Sequence, residues 1–143
     1  MCIRDSLHRG RTATLARRPV FTIMAGPDLD APALAGLQLS LDAQIDTDWE
    51  LLVPADAAGP DRPGLRRYDP RDPDAALATA RGTHVLLPRP GTRFRPHALT
   101  VLALTLDRRP DATIVYADED RRDGTGARSD PLFKPAWLSL IHI

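Results

Sequence analysis

Apolar positions along this chain follow two rhythms. Val20-Phe21-Thr22-Ile23-Met24-Ala25 is a short, mostly apolar, β-branched run bounded by Pro19 and Gly26-Pro27, and Trp49-Glu50-Leu51-Leu52-Val53 is a second, stopped by Pro54. Continuous apolar runs of this length between turn residues predict buried strands. Between them Leu34, Leu37, Leu41 and Ile45 recur at spacings of three and four, which places them on one face of a helix. Asp30 is the expected N-cap of that helix and Pro32 lies in its first turn.

The alternation continues downstream. Residues 57–73 are rich in Gly and Pro and read as a loop enclosing a short strand at residues 65–68. An alanine-rich helix is predicted over residues 74–80, with Gly82 as its C-terminal stop. His84-Val85-Leu86-Leu87 reads as another buried strand, residues 88–95 as a loop, and Pro96 as the opening of a helix that carries Leu99, Leu102 and Leu106 on one side. Pro110-Asp111 breaks that helix, and Thr113-Ile114-Val115-Tyr116 is the last predicted strand. Strands that are apolar throughout and alternate with helices imply an α/β fold: a mostly parallel, Rossmann-like sheet with helices on both faces. Such sheets bind ligands beyond the carboxyl ends of their strands. That rule singles out Ala25 to Asp28, Ala55-Asp56, Pro88 to Thr92, and Asp118-Glu119-Asp120.

Composition narrows this picture. The 143 residues make one domain or part of one, with nineteen basic against nineteen acidic side chains. A balanced charge gives no global field to attract nucleic acid or an anionic membrane. No apolar run approaches the roughly 20 residues that span a bilayer. The two ends change what can be counted. Met1 to Ser6 back-translates as ATG TGT ATA AGA GAC AG, whose reverse complement, CTG TCT CTT ATA CAC AT, encodes Leu138 to Ile143. Both hexapeptides therefore read as translated sequencing adaptor and are excluded from fold reasoning. Residues 1–18 are expected to be adaptor and a disordered basic leader, residues 19–137 the natural segment, and residues 138–143 adaptor again. The single cysteine, Cys2, falls in the first hexapeptide, so the segment carries no disulfide framework.

One stretch carries the most specific signal. Ile114-Val115-Tyr116-Ala117-Asp118-Glu119-Asp120 is followed by Gly126-Ala127-Arg128-Ser129-Asp130-Pro131-Leu132-Phe133-Lys134-Pro135-Ala136-Trp137. It resembles a signature of family-2 glycosyltransferases of surface-polysaccharide and rhamnan-type synthesis. There a strand ends in Tyr-Ser-Asp-Glu-Asp, and Gly-x-Arg-x-x-Pro-x-Phe-Lys-Pro-Asp-Trp follows. Upstream, the helix after the first strand, Trp49-Glu50-Leu51-Leu52-Val53, the Ala-x-Ala-x-Gly end at Ala78 to Gly82 and Pro110-Asp111-Ala112 fit in the same order. The resemblance covers about residues 19–137 and implies the nucleotide-sugar-binding part of a GT-A fold.

What the resemblance implies is sugar transfer from a nucleoside-diphosphate sugar to a glycan acceptor, with inversion, in the cytoplasm or at the inner face of the membrane. Membrane association would be peripheral and run through regions outside this segment, and nucleic acid is not an expected partner. The family places an Asp pair after the second strand, facing the nucleotide; here it is Ala55-Asp56, so Asp56 alone carries over. The family's Asp-x-Asp for a divalent cation, Mg2+ or Mn2+, follows the strand that ends at Leu87. Here the segment is Pro88-Arg89-Pro90-Gly91, with no carboxylate between Gly82 and Asp107, so no metal ligand is assigned. Arg89 or Arg93 could balance diphosphate charge instead, the alternative being two solvated loop arginines. The candidate substrate-binding residues are Asp56, Asp118, Glu119, Asp120 and Lys134. For the acidic trio the alternative is an exposed turn ahead of Arg121-Arg122; for Lys134 it is a pair with Asp130. The catalytic base is expected beyond Trp137, so no catalytic residue is named. His84 and His97 have no partner at ligand spacing and read as structural. A second reading is a degenerate, non-catalytic glycosyltransferase-like domain with a binding or scaffolding role.

Overall fold

The computed structural model describes residue 15 and residues 18–45 and 48–133. The chain divides into two compact units, one ending at Pro110 and the other beginning at Asp111. The first unit is a parallel sheet of β1 (Val20–Met24), β2 (Asp48–Pro54), β3 (Leu65–Tyr68) and β4 (His84–Leu86), in the order β3-β2-β1-β4. The connecting helices are α1 (Ala31–Asp42), α2 (Pro73–Ala78) and α3 (Ala98–Arg108). This is the expected α/β architecture.

Register sorts the side chains onto two faces. Phe21 lies beside Trp49 and Ile23 beside Leu51, while Thr22 lies beside Glu50 and Met24 beside Leu52. The Phe21 face, with Ile23, Leu51 and Val53, meets Leu34, Leu37 and Leu41 of α1 and Leu99 and Ala103 of α3. Each of these leucines, fully buried, contributes about 1.5–3 kcal/mol, so this layer holds the unit together. The opposite face is thinner: Met24, Leu52 and Tyr68 pack on Ala76 of the short α2.

Local chemistry explains the helix limits. Asp30 accepts the Ala33 N–H at 2.7 Å and Pro32 sits in the first turn, as expected for α1. α3 has no cap from its own His97. The amide of Gln44, just after α1, takes that role: its Oε1 accepts the Leu99 N–H at 3.1 Å, while its Nε2 donates to the carbonyls of Ser40 and Arg95. Thr100 Oγ1 donates to the Ile45 carbonyl at 2.6 Å beside it. One side chain thus fastens the end of α1 to the start of α3 and satisfies an amide that the helix itself leaves open.

Three expectations need correcting. Gly82 is no helix stop, because α2 ends at Ala78 with Thr79 as its cap. Gly82 instead lets the chain pass against β1: a Cβ there would lie 2.3 Å from Thr22 Oγ1 and 2.5 Å from the Thr22 nitrogen. β4 is not a buried strand. It is the edge of the sheet, and Val85 is 45% exposed. Thr113-Ile114-Val115-Tyr116 forms no strand, and Ile114 is 70% exposed. An apolar run becomes a strand only where a neighbouring strand takes up its N–H and C=O groups in register, and strand composition alone does not supply that neighbour.

The second unit is an antiparallel hairpin of β5 (Glu119–Arg122) and β6 (Arg128–Leu132), with a register irregularity between Glu119 and Arg121. Asp123 builds its turn. Its carboxylate accepts from the Thr125 N–H, the Thr125 hydroxyl and the Ala127 N–H. Every residue of both strands is exposed.

Candidate functional site

The carboxyl ends of the four strands form one rim of the first unit. β1 leads there into Ala25 and Gly26, β2 into Ala55 and Asp56, β3 ends at Tyr68, and β4 leads into Pro88 and Arg89. Asp56 lies on this rim as expected. It is exposed, with no hydrogen bond or ion pair to another described residue. Its charge is nevertheless felt by Tyr68: burial, and after it the negative charge of Asp56, raises the phenol above its ordinary value. The Ala55 N–H donates to the Tyr68 carbonyl at 2.8 Å, which brings Asp56 and Tyr68 close where β2 pairs with β3.

The strand ends are tied to one another by β3, which the sequence marked only as a short strand within a loop. Tyr68 is buried and its hydroxyl donates to the Ala25 carbonyl at 2.7 Å, reaching past β2 to the end of β1. Arg67 points the other way along the strand. Its Nε donates to Asp61 Oδ1 at 2.8 Å, its Nη1 to the carbonyls of Ala57 at 2.8 Å and Ala55 at 3.3 Å, and its Nη2 to the Gly59 carbonyl at 2.7 Å. Sequence reasoning missed both residues. A signal existed: a Gly- and Pro-rich loop has few partners for its own carbonyls, and buried or crowded carbonyls must find donors.

The loop after β4 carries no carboxylate. Pro88 to Thr92 contains a tight turn in which the Thr92 N–H donates to the Arg89 carbonyl at 3.0 Å, with Pro90 second and Gly91, at φ 82°, third. Pro then a positive-φ Gly is the requirement of a type II turn. Among the described residues no group of three or more His, Cys, Asp or Glu side chains could hold a metal ion. The N-terminus of α1 also lies on the rim, yet it is spent. The Asp30 carboxylate occupies it and Pro32 has no N–H to offer, so it does not present the free amides that hold a phosphate. Arg93 lies against α1 rather than at the strand ends, its guanidinium resting where a Cβ on Gly36 would stand.

Below the rim, Glu50 is the one buried carboxylate of the first unit among the described residues, 1% exposed. Its Oε1 accepts from the Thr22 hydroxyl at 2.7 Å and the backbone N–H groups of Arg81 at 2.5 Å and Gly82 at 3.4 Å. Its Oε2 faces Arg66 at 3.4 Å and Arg81 at 3.5 Å. Burial pushes its pKa up, but the bonds from Thr22, Arg81 and Gly82 and the charge of Arg66 outweigh burial, so the net shift is downward. This carboxylate joins β1, β2, β3 and the chain before β4, and with its oxygens engaged it serves the fold.

The other sequence candidates lie in the second unit or outside the described residues. Asp118 precedes β5, and Glu119 and Asp120 are its first two residues rather than the end of a preceding strand. Asp120 pairs with Arg128 across the hairpin, and Glu119 stands opposite Leu132. Lys134, like Trp137, falls outside the described residues. No described helix is long and apolar enough to cross a membrane.

No family model matches the chain, and no solved structure matches it. Two curated proteins do. The protein y4gI of Sinorhizobium fredii (strain NBRC 101917 / NGR234), itself uncharacterized, is 30% identical over 90% of this chain. The O-antigen biosynthesis protein RfbC of Myxococcus xanthus is 29% identical over 87% of it. The chain spans only 17% and 11% of their respective lengths. This chain is therefore a distant relative, over most of its own length, of one segment of a protein named for O-antigen biosynthesis.

Proposed function

We propose that this chain is the nucleoside-diphosphate-sugar-binding part of a glycosyltransferase of cell-surface polysaccharide synthesis, of the family-2 type. The observation that carries the reading is its similarity, over 87% of the chain, to a protein named for O-antigen biosynthesis. The parallel sheet supports it by supplying the rim where such folds take nucleotides, and Asp56 stands on that rim with its carboxylate exposed. A carboxylate there can accept hydrogen bonds from a base or ribose, each worth about 1.5–3 kcal/mol when charge-assisted. The reaction is an in-line displacement. The acceptor hydroxyl gives its proton to a base, its oxygen bonds to the anomeric carbon, the bond to the diphosphate oxygen breaks, and the nucleoside diphosphate leaves with the electron pair. The described residues supply the donor platform and not the base.

The family's divalent cation does not fit the loop after β4, where Pro88-Arg89-Pro90-Gly91 offers no carboxylate. The same absence favours a second reading, a domain that binds donor or glycan without turning it over.

Calorimetry of the purified protein with UDP-, dTDP- and GDP-sugars, in Mn2+ and again in EDTA, tests both. Micromolar binding of one donor, weakened roughly tenfold or more by Asp56→Asn, is the expected result. Binding with no hydrolysis or transfer by the intact protein supports the second reading. No binding of any donor under either condition sinks the transferase reading and leaves the second only as a glycan-binding or scaffolding domain.

A further inference from the structure

We infer that Arg67 is the positioning residue of the nucleotide rim: it fixes the backbone on both sides of Asp56 so that this carboxylate faces the ligand. The inference rests on the reading of Asp56 given above, and the geometry of Arg67 is its own support. Arg67 Nη1 donates to the carbonyls of Ala55 and Ala57, which flank Asp56 on either side. Nη2 and Nε extend the grip to Gly59 and Asp61. One guanidinium thus gathers three carbonyls and a carboxylate from a loop with no regular structure.

At its far end Arg62 pairs with Asp42 of α1, and Ala57 packs against the core; between them the loop has few bonds of its own. Among the described residues its backbone bonds are the Ala57 N–H to the Pro54 carbonyl at 3.0 Å and the Ala55 N–H to the Tyr68 carbonyl at 2.8 Å. Gly59 takes φ 134° and lies against Leu34 of α1, so the loop must bend back over the helix. Without a donor at its centre, the carbonyls of Ala55, Ala57 and Gly59 would turn to water and Asp56 would turn with them. The five donors of a guanidinium lie in a fixed planar fork, whereas an ammonium is a point donor on a flexible stem. Lysine can keep the charge at this position but not span acceptors from Ala55 to Asp61.

Arg67 belongs to β3, whose pairing with β2 runs through Leu51 to Pro54. The loop is therefore referenced to the sheet through a second strand and not only through the end of its own. Precise placement of a binding group needs a rigid support of this kind.

The test uses Arg67→Ala, Arg67→Lys and the control Asp61→Ala in the purified protein, with hydrogen exchange by mass spectrometry and calorimetry against UDP-, dTDP- and GDP-sugars. Both Arg67 variants should speed exchange of the Ala55 and Ala57 amides, the hydrogen-bonded ones among the described residues of the loop, by tenfold or more, with β1 and β2 unchanged. Both should also weaken the donor bound by the wild type at least tenfold, and lysine should rescue neither. Asp61→Ala should do much less, since Asp61 is only the outermost of the four acceptors. In an Asp56→Asn background the effect of Arg67→Ala on donor affinity should shrink to under threefold, a coupling that general destabilisation does not produce. Unchanged loop exchange in Arg67→Ala overturns the inference. So does faster exchange with unchanged donor affinity, or full rescue by lysine. If the wild type binds no donor at all, the nucleotide reading falls and the ligand role of Arg67 with it, while exchange still decides whether Arg67 fastens the loop.

Discussion

Replacing Glu50 by glutamine removes one charge from the buried network and leaves its shape. The amide oxygen can still accept from Thr22 and from the Arg81 and Gly82 N–H groups, but as a neutral acceptor, with bonds about half as strong. Two short charge-assisted bonds, to Thr22 at 2.7 Å and Arg81 N at 2.5 Å, then lose about 1 kcal/mol each. The amide nitrogen would face the Arg66 and Arg81 guanidiniums, donor against donor, where Oε2 now stands. An uncompensated buried donor adds about 1–3 kcal/mol, and relief from desolvating a full charge returns part of the total. The expected loss is about 2–4 kcal/mol at pH 7.

The pH dependence supplies the sharper test. The pKa of Glu50 in the fold lies below its ordinary value of 4.5. Just below that value the unfolded chain has taken up the proton and the folded chain has not, so protonation favours unfolding. The contribution of Glu50 is therefore complete above the ordinary value and disappears as pH falls through the folded one. Urea denaturation followed by circular dichroism, from pH 7 to pH 3, should show wild type and Glu50→Gln far apart at neutral pH and converging in acid. A difference under about 0.5 kcal/mol at pH 7, within the range of an ordinary surface change, would refute the reasoning. So would a gap that widens on acidification, which would mean that burial of the charge outweighs the bonds to it.

Two further outcomes follow from the same sheet. Gly82→Ala should destabilise by about 2–3 kcal/mol or more, because the new methyl meets the Thr22 nitrogen at 2.5 Å and backbone in β1 cannot yield as a side chain can; Gly26→Ala, with nothing within 4 Å, is the neutral control in the same thermal melt. The Tyr68 phenol, raised first by burial and then by Asp56, should titrate in ultraviolet absorbance above the ordinary tyrosine value, and Asp56→Asn should bring it part of the way back. An unchanged titration in that variant would place Asp56 away from Tyr68. Because the folded value is the raised one, this group's contribution is intact below the ordinary value near 10 and is lost as pH rises through the folded one.

What the sequence made legible was what periodicity encodes. The three- and four-residue spacing of Leu34, Leu37 and Leu41 marks a face, and Asp30 with Pro32 marks a start, so α1 was readable with its cap. The mostly apolar runs at Val20 and Trp49, interrupted only by Thr22 and Glu50, marked strands whose both faces are covered. Asp56 was readable as a rim residue because the fold class dictates where strands end. Pairing is a different kind of information. Thr113 to Tyr116 has strand composition, and β4 was expected to be buried, but whether a run is central, edge or unpaired depends on which other segment comes alongside it. Glycine was misread for a related reason: helix stop and close approach look alike in sequence, and only the position of Thr22 separates them.

The residues that escaped altogether, Gln44, Arg67 and Tyr68, share one property: each serves backbone groups distant in sequence. Gln44 caps a helix that starts 54 residues later, Tyr68 closes on Ala25, and Arg67 gathers the loop around Asp56. A local pattern cannot state such debts, because a carbonyl without a partner looks in sequence like any other residue. They can be anticipated only by asking, for each loop with too few internal bonds, which donor will reach it. For residues 55–61 the question has few answers. The loop must bend at Gly59, its carbonyls converge, and the adjoining strand is β3, whose alternate residues point toward and away from it. Arg66 faces Glu50 on the far side; Arg67 is left to face the loop. A candidate site of this kind is thus half-written in the chain: the position of Asp56 follows from the fold class and its proposed role from the family resemblance, while the placement of Arg67 beside it follows only from the sheet order that brings β3 alongside β2.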